Sequence, residues 1–172
     1  MQINEAIKRR KSIRKYKTDG VVTDEQIKLL LEAGMLAPSA CGMRPWDYIV
    51  VQNRDYLDKI IEFHDWANML KTASCAIIVT LEPDKQKGVS GEGMWQHDGG
   101  ATVENILLQA TELGLGTCWC GLHPVQRYMD ATRKLFDLPD NIIPFAVIAV
   151  GMPDETDGSR GFYEEDKVRW VK

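Results

Sequence analysis

The chain has 172 residues, of which 44% are hydrophobic and 27% charged, with a formal net charge of −4. That is the size of one ordinary domain with a real core, so a single domain over residues 1–172 is expected and a second is not. No apolar run approaches the roughly 18 residues of a membrane span, and the start, MQINEAIKRRK, lacks an apolar leader, so a soluble, cytoplasmic protein with no membrane partner is expected.

Asn4 is placed to cap a short helix carrying Ala6 and Ile7, after which Ser12, Ile13 and Tyr16 read as an irregular extended exit. Thr23 followed by Gln26 is a capping box, and Ile27, Leu30, Leu31, Gly34 and Met35 recur at helical spacing until Pro38. WDYIVVQ (46–52) reads as a strand, Asn53 caps a helix to about Phe63, and CAIIVTLE (75–82) has the apolar, β-branched content of a buried strand. Residues 83–97 are polar and glycine-containing and read as an exposed loop or lid. Asp98 then stands at the N-cap of a long helix with Val103, Ile106, Leu107, Ala110 and Leu113 on one face, stopped by GLG at 114–116. A short strand TCWC, a helix over about 125–136 and the strand FAVIAVG (145–151) complete the pattern. Strands alternating with helices predict a sheet covered on both sides. The tail 152–172 has too few apolar residues for a core of its own, and its Val168, Trp170 and Val171 need a surface such as a partner subunit.

KRRKSIRKYK (8–17) holds seven of the 21 Lys and Arg. The other 14 face all 25 Asp and Glu, so the remainder carries about −11. A solvated helix face is one reading of the cluster. A nucleic-acid arm is disfavoured, because the acidic remainder would repel a polyanion over most of the surface. A single phosphate monoester is the favoured ligand, since two guanidinium forks and a hydroxyl can hold it locally, and Arg10, Ser12 and Arg14 share a side wherever the chain is extended.

Hydrolase elbow, nucleotide loop, zinc-protease and dinucleotide fingerprints are missing, and His64, His97 and His123 lie in separate segments. Four cysteines without a sign of secretion read as reduced thiols. Cys118 and Cys120 lack a second ligand pair, so they read as packing residues and no metal is expected. A phosphate site without an acid, base or nucleophile set leaves the chemistry to a cofactor.

The order RRKSIRKY (9–16), an amphipathic helix, APSACGMRPWDYIVV (37–51), HDGGATVENILLQATELGLGTCWCG (97–121) and VIAVGMP (147–153) resembles the short form of the nitroreductase family of FMN-dependent flavoproteins. The resemblance implies an α+β three-layer sandwich, a central mixed sheet flanked by helices, in an intertwined homodimer with the 152–172 arm on the partner. It implies that FMN carries electrons from NADH or NADPH to a nitroaromatic, quinone or flavin-like acceptor in a ping-pong order. The alternatives are a flavin-storage protein, or a relative acting in dehalogenation or flavin fragmentation.

By the same resemblance Arg10, Lys11 and Ser12 serve the phosphate and ribityl end, and Arg14 reaches the pyrimidine edge, tuning the flavin. Pro38, Ser39, Ala40 and Gly42 reach the flavin of the opposite subunit, Trp119, Cys120 and Gly121 approach its ring, and Arg160 completes the phosphate site. Gly42 stands where the family usually has Asn, and Arg44 where it has Gln; Arg44 reads either as a contact for an anionic substrate or as a solvent-facing loop residue. No protein residue is assigned as a catalyst in its own right.

Overall fold

The computed structural model describes residues 3–86, 93–155 and 161–172. One sheet carries the strands in the order β1–β2–β4–β3, with β1 at Trp46–Val51, β2 at Cys75–Leu81, β3 at Gly116–Gly121 and β4 at Ile143–Gly151. The helices are α1 (Ile3–Arg9), α2 (Asp24–Met35), α3 (Arg54–Phe63), α4 (Trp95–Glu112) and α5 (Gln126–Phe136). The α+β class is as the sequence implies, but the sheet is not mixed. All three neighbouring strand pairs are antiparallel, and the parallel pairing among the described residues is one bridge, Ser12 to Thr117. The connection explains it: α3 and the 3-10 turn Asn68–Lys71 return the chain to the end where β1 stopped, so β2 runs back beside β1.

Alternation along β2 and β4 builds two cores. Ile77, Val79, Ala146 and Ile148 face α2 and α4 with Leu30, Val103 and Ile106. Ala76, Ile78, Val147 and Ala149 face the other way, onto Leu57 and Ile60 of α3 and Tyr128 of α5. Both strands are therefore buried on two faces, which is why they read as continuous apolar runs.

Helix starts follow local chemistry in two of the expected places. The Thr23 hydroxyl accepts from the Gln26 N–H, while the Gln26 side chain accepts from the Thr23 N–H. Asn53 accepts from Asp55 and Tyr56 at the head of α3. Two caps fall differently. Asn4 lies inside α1, which already begins at Ile3. Asp98 lies in the first turn of α4, whose N-cap is Met94. Asp98 is buried instead, accepting the Ala40 N–H at 2.9 Å and the Gln86 side-chain amide at 2.6 Å. Of the expected lid, Pro83–Lys85 is a 3-10 turn tied by Lys85 to Asp47 and Glu82, 95–97 belong to α4, and 87–92 lie outside the described residues.

The basic segment leaves α1 along the sheet. Ile13 donates its N–H to Thr117 at 2.8 Å, Tyr16 forms an antiparallel bridge with Pro153, and Lys17 N–H reaches Met152 at 2.9 Å. Ile13 and Tyr16 turn into the core, so Arg14 and Lys15 between them turn outward.

Candidate functional site

β3 is an edge strand, paired with β4 on one side only. Backbone groups alternate in direction along a strand, and Thr117 C=O accepts from Ile13 on the outer edge, so Trp119 and Gly121 present their N–H and C=O to that same edge. The His64 Nε2 at 3.0 Å from the Gly121 carbonyl fits this parity. Between the two anchored carbonyls lies Trp119, a residue 38% exposed.

A cavity of about 950 Å³ opens along this edge, walled by Arg14, Trp66, Asn68, Lys71 and the strand from Cys118 to Gly121. Its volume suits a ligand of cofactor size, and its polar equipment is specific. A strand edge offers an N–H and a C=O side by side, and Arg14, Trp66 and Trp119 are among the residues that line the same cavity. That donor set fits a planar heteroaromatic ring with carbonyl oxygens and ring nitrogens along one side. Asn68 and Lys71 enter the same wall because residues three apart eclipse in a 3-10 turn.

Of the residues expected at a flavin site, Arg14, Trp119, Cys120 and Gly121 meet in this cavity. Ser12 adjoins it through its bridge to Thr117. Arg10 is elsewhere: its N–H still bonds to Ala6 in helical fashion, and its guanidinium pairs with Glu104 of α4 at 3.2 Å. The every-second-residue alternation thus does not extend back to Arg10. Lys11 lines a separate groove of about 240 Å³ with Arg9 and Glu155. Pro38, Ser39, Ala40 and Gly42 do not line the β3 cavity of their own chain. Arg160 lies outside the described residues.

The comparisons settle which fold family this is. The family model described as "Nitroreductase family" matches residues 7–68 and 64–152. The chain belongs to the nitroreductase family. A provisionally named NADH dehydrogenase/NAD(P)H nitroreductase of Methanothermobacter thermautotrophicus is 42% identical over 172 residues, all of this chain and 88% of that protein. A crystal structure from Parabacteroides distasonis, with the same provisional name, superposes with a TM-score of 0.92 at 36% identity, covering 100% of this chain and 99% of that one. A provisionally named nitroreductase of Desulfovibrio desulfuricans in complex with FMN gives a TM-score of 0.81 at 28% identity, covering 100% and 97%.

In the loop after α2, Cys41, Gly42 and Arg44 all have positive φ. Gly42 has φ +67°, in the left-handed region that glycine and asparagine adopt most readily, so the usual Asn and this Gly suit the same turn. Arg44, at φ +50°, folds its guanidinium back to the Met35 carbonyl at the end of α2, where a cation complements the helix dipole.

Sequence reasoning missed most of the residues that line the cavity, among them His64, Trp66, Asn68 and Lys71. Asn68 and Lys71 carry a weak signal, the three-residue spacing after a helix. His64 and Trp66 carry none, because their roles depend on packing against β3 and α5. There, Tyr128 donates to Asp65 at 2.9 Å and Arg127 pairs with the same carboxylate, holding it below the usual carboxylate range. The thiols on the β3 wall are also uneven. Coupling to Cys120, with help from Arg14 and Ser12, brings Cys118 down to about 7, and the same coupling together with burial pushes Cys120 up.

Proposed function

We propose that this protein is an FMN-dependent oxidoreductase that takes electrons from NADH or NADPH and passes them to a nitroaromatic, quinone or flavin-like acceptor. The observation that carries the reading is the meeting of Arg14 with the backbone edge at Trp119, between the anchored carbonyls of Thr117 and Gly121, in one cavity. FMN, when bound, supplies reversible two-electron chemistry that no side chain here supplies.

The residues hold and tune it. Arg14 offers a fixed cation where negative charge gathers on reduction, a stabilisation that costs little reorganisation because the backbone of residues 14 and 15 is itself anchored on Glu155 at 2.5 and 3.3 Å. The N–H and C=O of Trp119 fix the ring's orientation, and Arg10, Lys11, Ser12 and Arg160 are assigned to the phosphate and ribityl end. Pro38, Ser39, Ala40 and Gly42 are assigned to the flavin of a second copy of the chain, making the working unit a homodimer. Phe162, Tyr163, Trp170 and Val171 are strongly exposed on the single chain, as an arm that packs on a partner would be. Donor and acceptor use one open face in turn, which is a ping-pong order, and Arg44 is assigned to meet anionic acceptors.

The test is the visible spectrum of the purified protein, identification of the released chromophore, and anaerobic titration with NADH and NADPH. A bound FMN bleached by either nucleotide, and restored by a quinone or nitroaromatic, is the expected result. A chromophore that neither nucleotide bleaches would mark a storage protein, and a colourless protein that fails to take up FMN would end the reading.

A further inference from the structure

We infer that His64 is a positioning residue of this cavity: as a neutral imidazole it clamps the Gly121 carbonyl of the β3 edge to the Trp66 peptide, setting the separation of two walls. The role in flavin binding rests on the proposed function, whereas the clamp itself does not.

His64 is 2% exposed, so its ring nitrogens find their partners within the protein. The Trp66 N–H donates to Nδ1 at 3.2 Å, and Nε2 lies 3.0 Å from the Gly121 carbonyl. A peptide N–H only donates and a carbonyl only accepts, so Nδ1 must be bare and Nε2 must carry the proton. The two partners therefore define one neutral tautomer. Tyr128 stacks on the ring at 4.3 Å and 15° between planes, which fixes its orientation. The Trp66 peptide is held at its other end as well, its carbonyl accepting from the Cys120 thiol at 3.5 Å. Trp66 and Asn68 on one wall, and Trp119 to Gly121 on the other, are thereby tied through a single side chain.

Protonation reverses one of the two bonds. A proton on Nδ1 would face the Trp66 N–H donor to donor, and burial already lowers the pKa of this ring. The groups facing it are Asp65 on its own segment, which favours the imidazolium, and Arg127 beside Tyr128 on α5, which opposes it. Cys120 on β3 and Lys71 on the 3-10 turn border the same space. Above the ordinary histidine value of about 6.5 the clamp is closed, and it opens as pH falls through the lowered value in the fold.

Three variants of the full-length protein separate the bonds. His64→Phe keeps the stack and loses both hydrogen bonds, His64→Gln retains a donor toward Gly121, and His64→Asn retains an acceptor toward Trp66. FMN affinity, read by quenching of flavin fluorescence on reconstitution, is expected to fall about tenfold or more in His64→Phe, with partial rescue in Gln and Asn. In wild type the dissociation constant should rise as pH falls through the lowered folded-state value of His64, below the ordinary histidine range, and His64→Phe should lack that inflection. A purely structural role would lower the melting temperature without removing a pH inflection. The flavin-free protein gives an independent reading: the emission of Trp66, obtained by difference with Trp66→Phe, should shift with the same midpoint and lose that shift in His64→Phe. Wild-type affinity and a wild-type pH profile in His64→Phe would overturn the inference. A Trp66 transition in a protein that binds no FMN would uphold the clamp and overturn the flavin assignment.

Discussion

The carboxylate of Asp98 accepts the backbone N–H of Ala40 at 2.9 Å, so the first turn of α4 holds the loop that follows α2. Its second oxygen takes the Gln86 amide at 2.6 Å, leaving Gln86 Oε1 buried without a partner among the described residues. Asp98→Ala should cost about 1–3 kcal/mol, because it strands a backbone donor and a side-chain donor together. Asp98→Asn should cost less, since a rotated Gln86 amide can present Oε1 to the new NH₂ group. Thermal unfolding of both variants checks the order. Equal losses would show that charge, rather than pairing, holds the loop.

Gly116 sits where β3 meets the basic segment, and a Cβ there would lie 2.8 Å from Cγ2 and 3.0 Å from Cβ of Ile13. Ile13 is buried and anchors the turn that exposes Arg14, so it has little room to yield. Gly116→Ala should therefore destabilise by about 1–3 kcal/mol and weaken FMN binding by displacing the Arg14 segment. Gly100 in α4 is the control, because a Cβ there meets nothing within 4 Å. Gly100→Ala should stabilise by up to about 1 kcal/mol and leave FMN binding unchanged. Denaturant titration with parallel FMN titration reads both effects.

What the sequence disclosed was local chemistry. The Thr23–Gln26 box, the Asn53 cap and the unbroken apolar runs at Cys75–Leu81 and Ile143–Gly151 each act within a few residues, and each stands where expected. Asp98 was misplaced as a cap because an acid before an apolar helix face has the same pattern whether it caps its own helix or bonds to Ala40, 58 positions away. Arg14 and the Trp119–Gly121 edge were legible only through motif order. Asn68, Lys71 and His64 were not, since nothing near them in the chain shows that α3 and the 3-10 turn bring them against β3.

Cys118 and Cys120 share the face of β3 that packs toward Leu57, Met69 and Tyr128. Their coupling eases the first ionisation and opposes the second, so the pair should lose one proton as pH rises through about 7. Cys75, pushed up to about 12 by burial, should stay silent there. Thiolate absorbance in the ultraviolet should show that transition in wild type and lose it in Cys118→Ser. The pair's role is nonetheless packing: replacing both by Ala or Ser should leave FMN reduction by NAD(P)H largely intact while stability falls by about 1–2 kcal/mol. Stoichiometric zinc or iron in the purified protein, or loss of flavin reduction at full FMN occupancy, would refute that role.

The C-terminal arm allows assembly and cofactor binding to be tested apart. Residues up to Glu155 belong to the fold of their own chain: Pro153 bridges Tyr16, Asp154 N–H donates to the Lys15 carbonyl at 2.9 Å, and Glu155 receives the N–H groups of Arg14 and Lys15. Beyond Gly161, Phe162 is 83% exposed and Val171 86%, so the single chain gives these side chains no apolar cover. A chain ending at Glu155 keeps the anchors of Arg14 and removes the arm. It should sediment as a monomer or aggregate and should bind FMN weakly, because one subunit alone lacks the 38–42 loop assigned to the opposite site, and ligand that binds only the assembled state stabilises it by mass action. Arg160→Ala in the full-length chain isolates the other contribution, with the dimer retained and FMN affinity lowered about tenfold or more by loss of one charge-assisted phosphate contact. Sedimentation with absorbance read at the flavin band measures mass and occupancy together. A truncated monomer carrying one tightly bound FMN would refute the shared site, and an Arg160→Ala dimer with wild-type affinity would remove Arg160 from it.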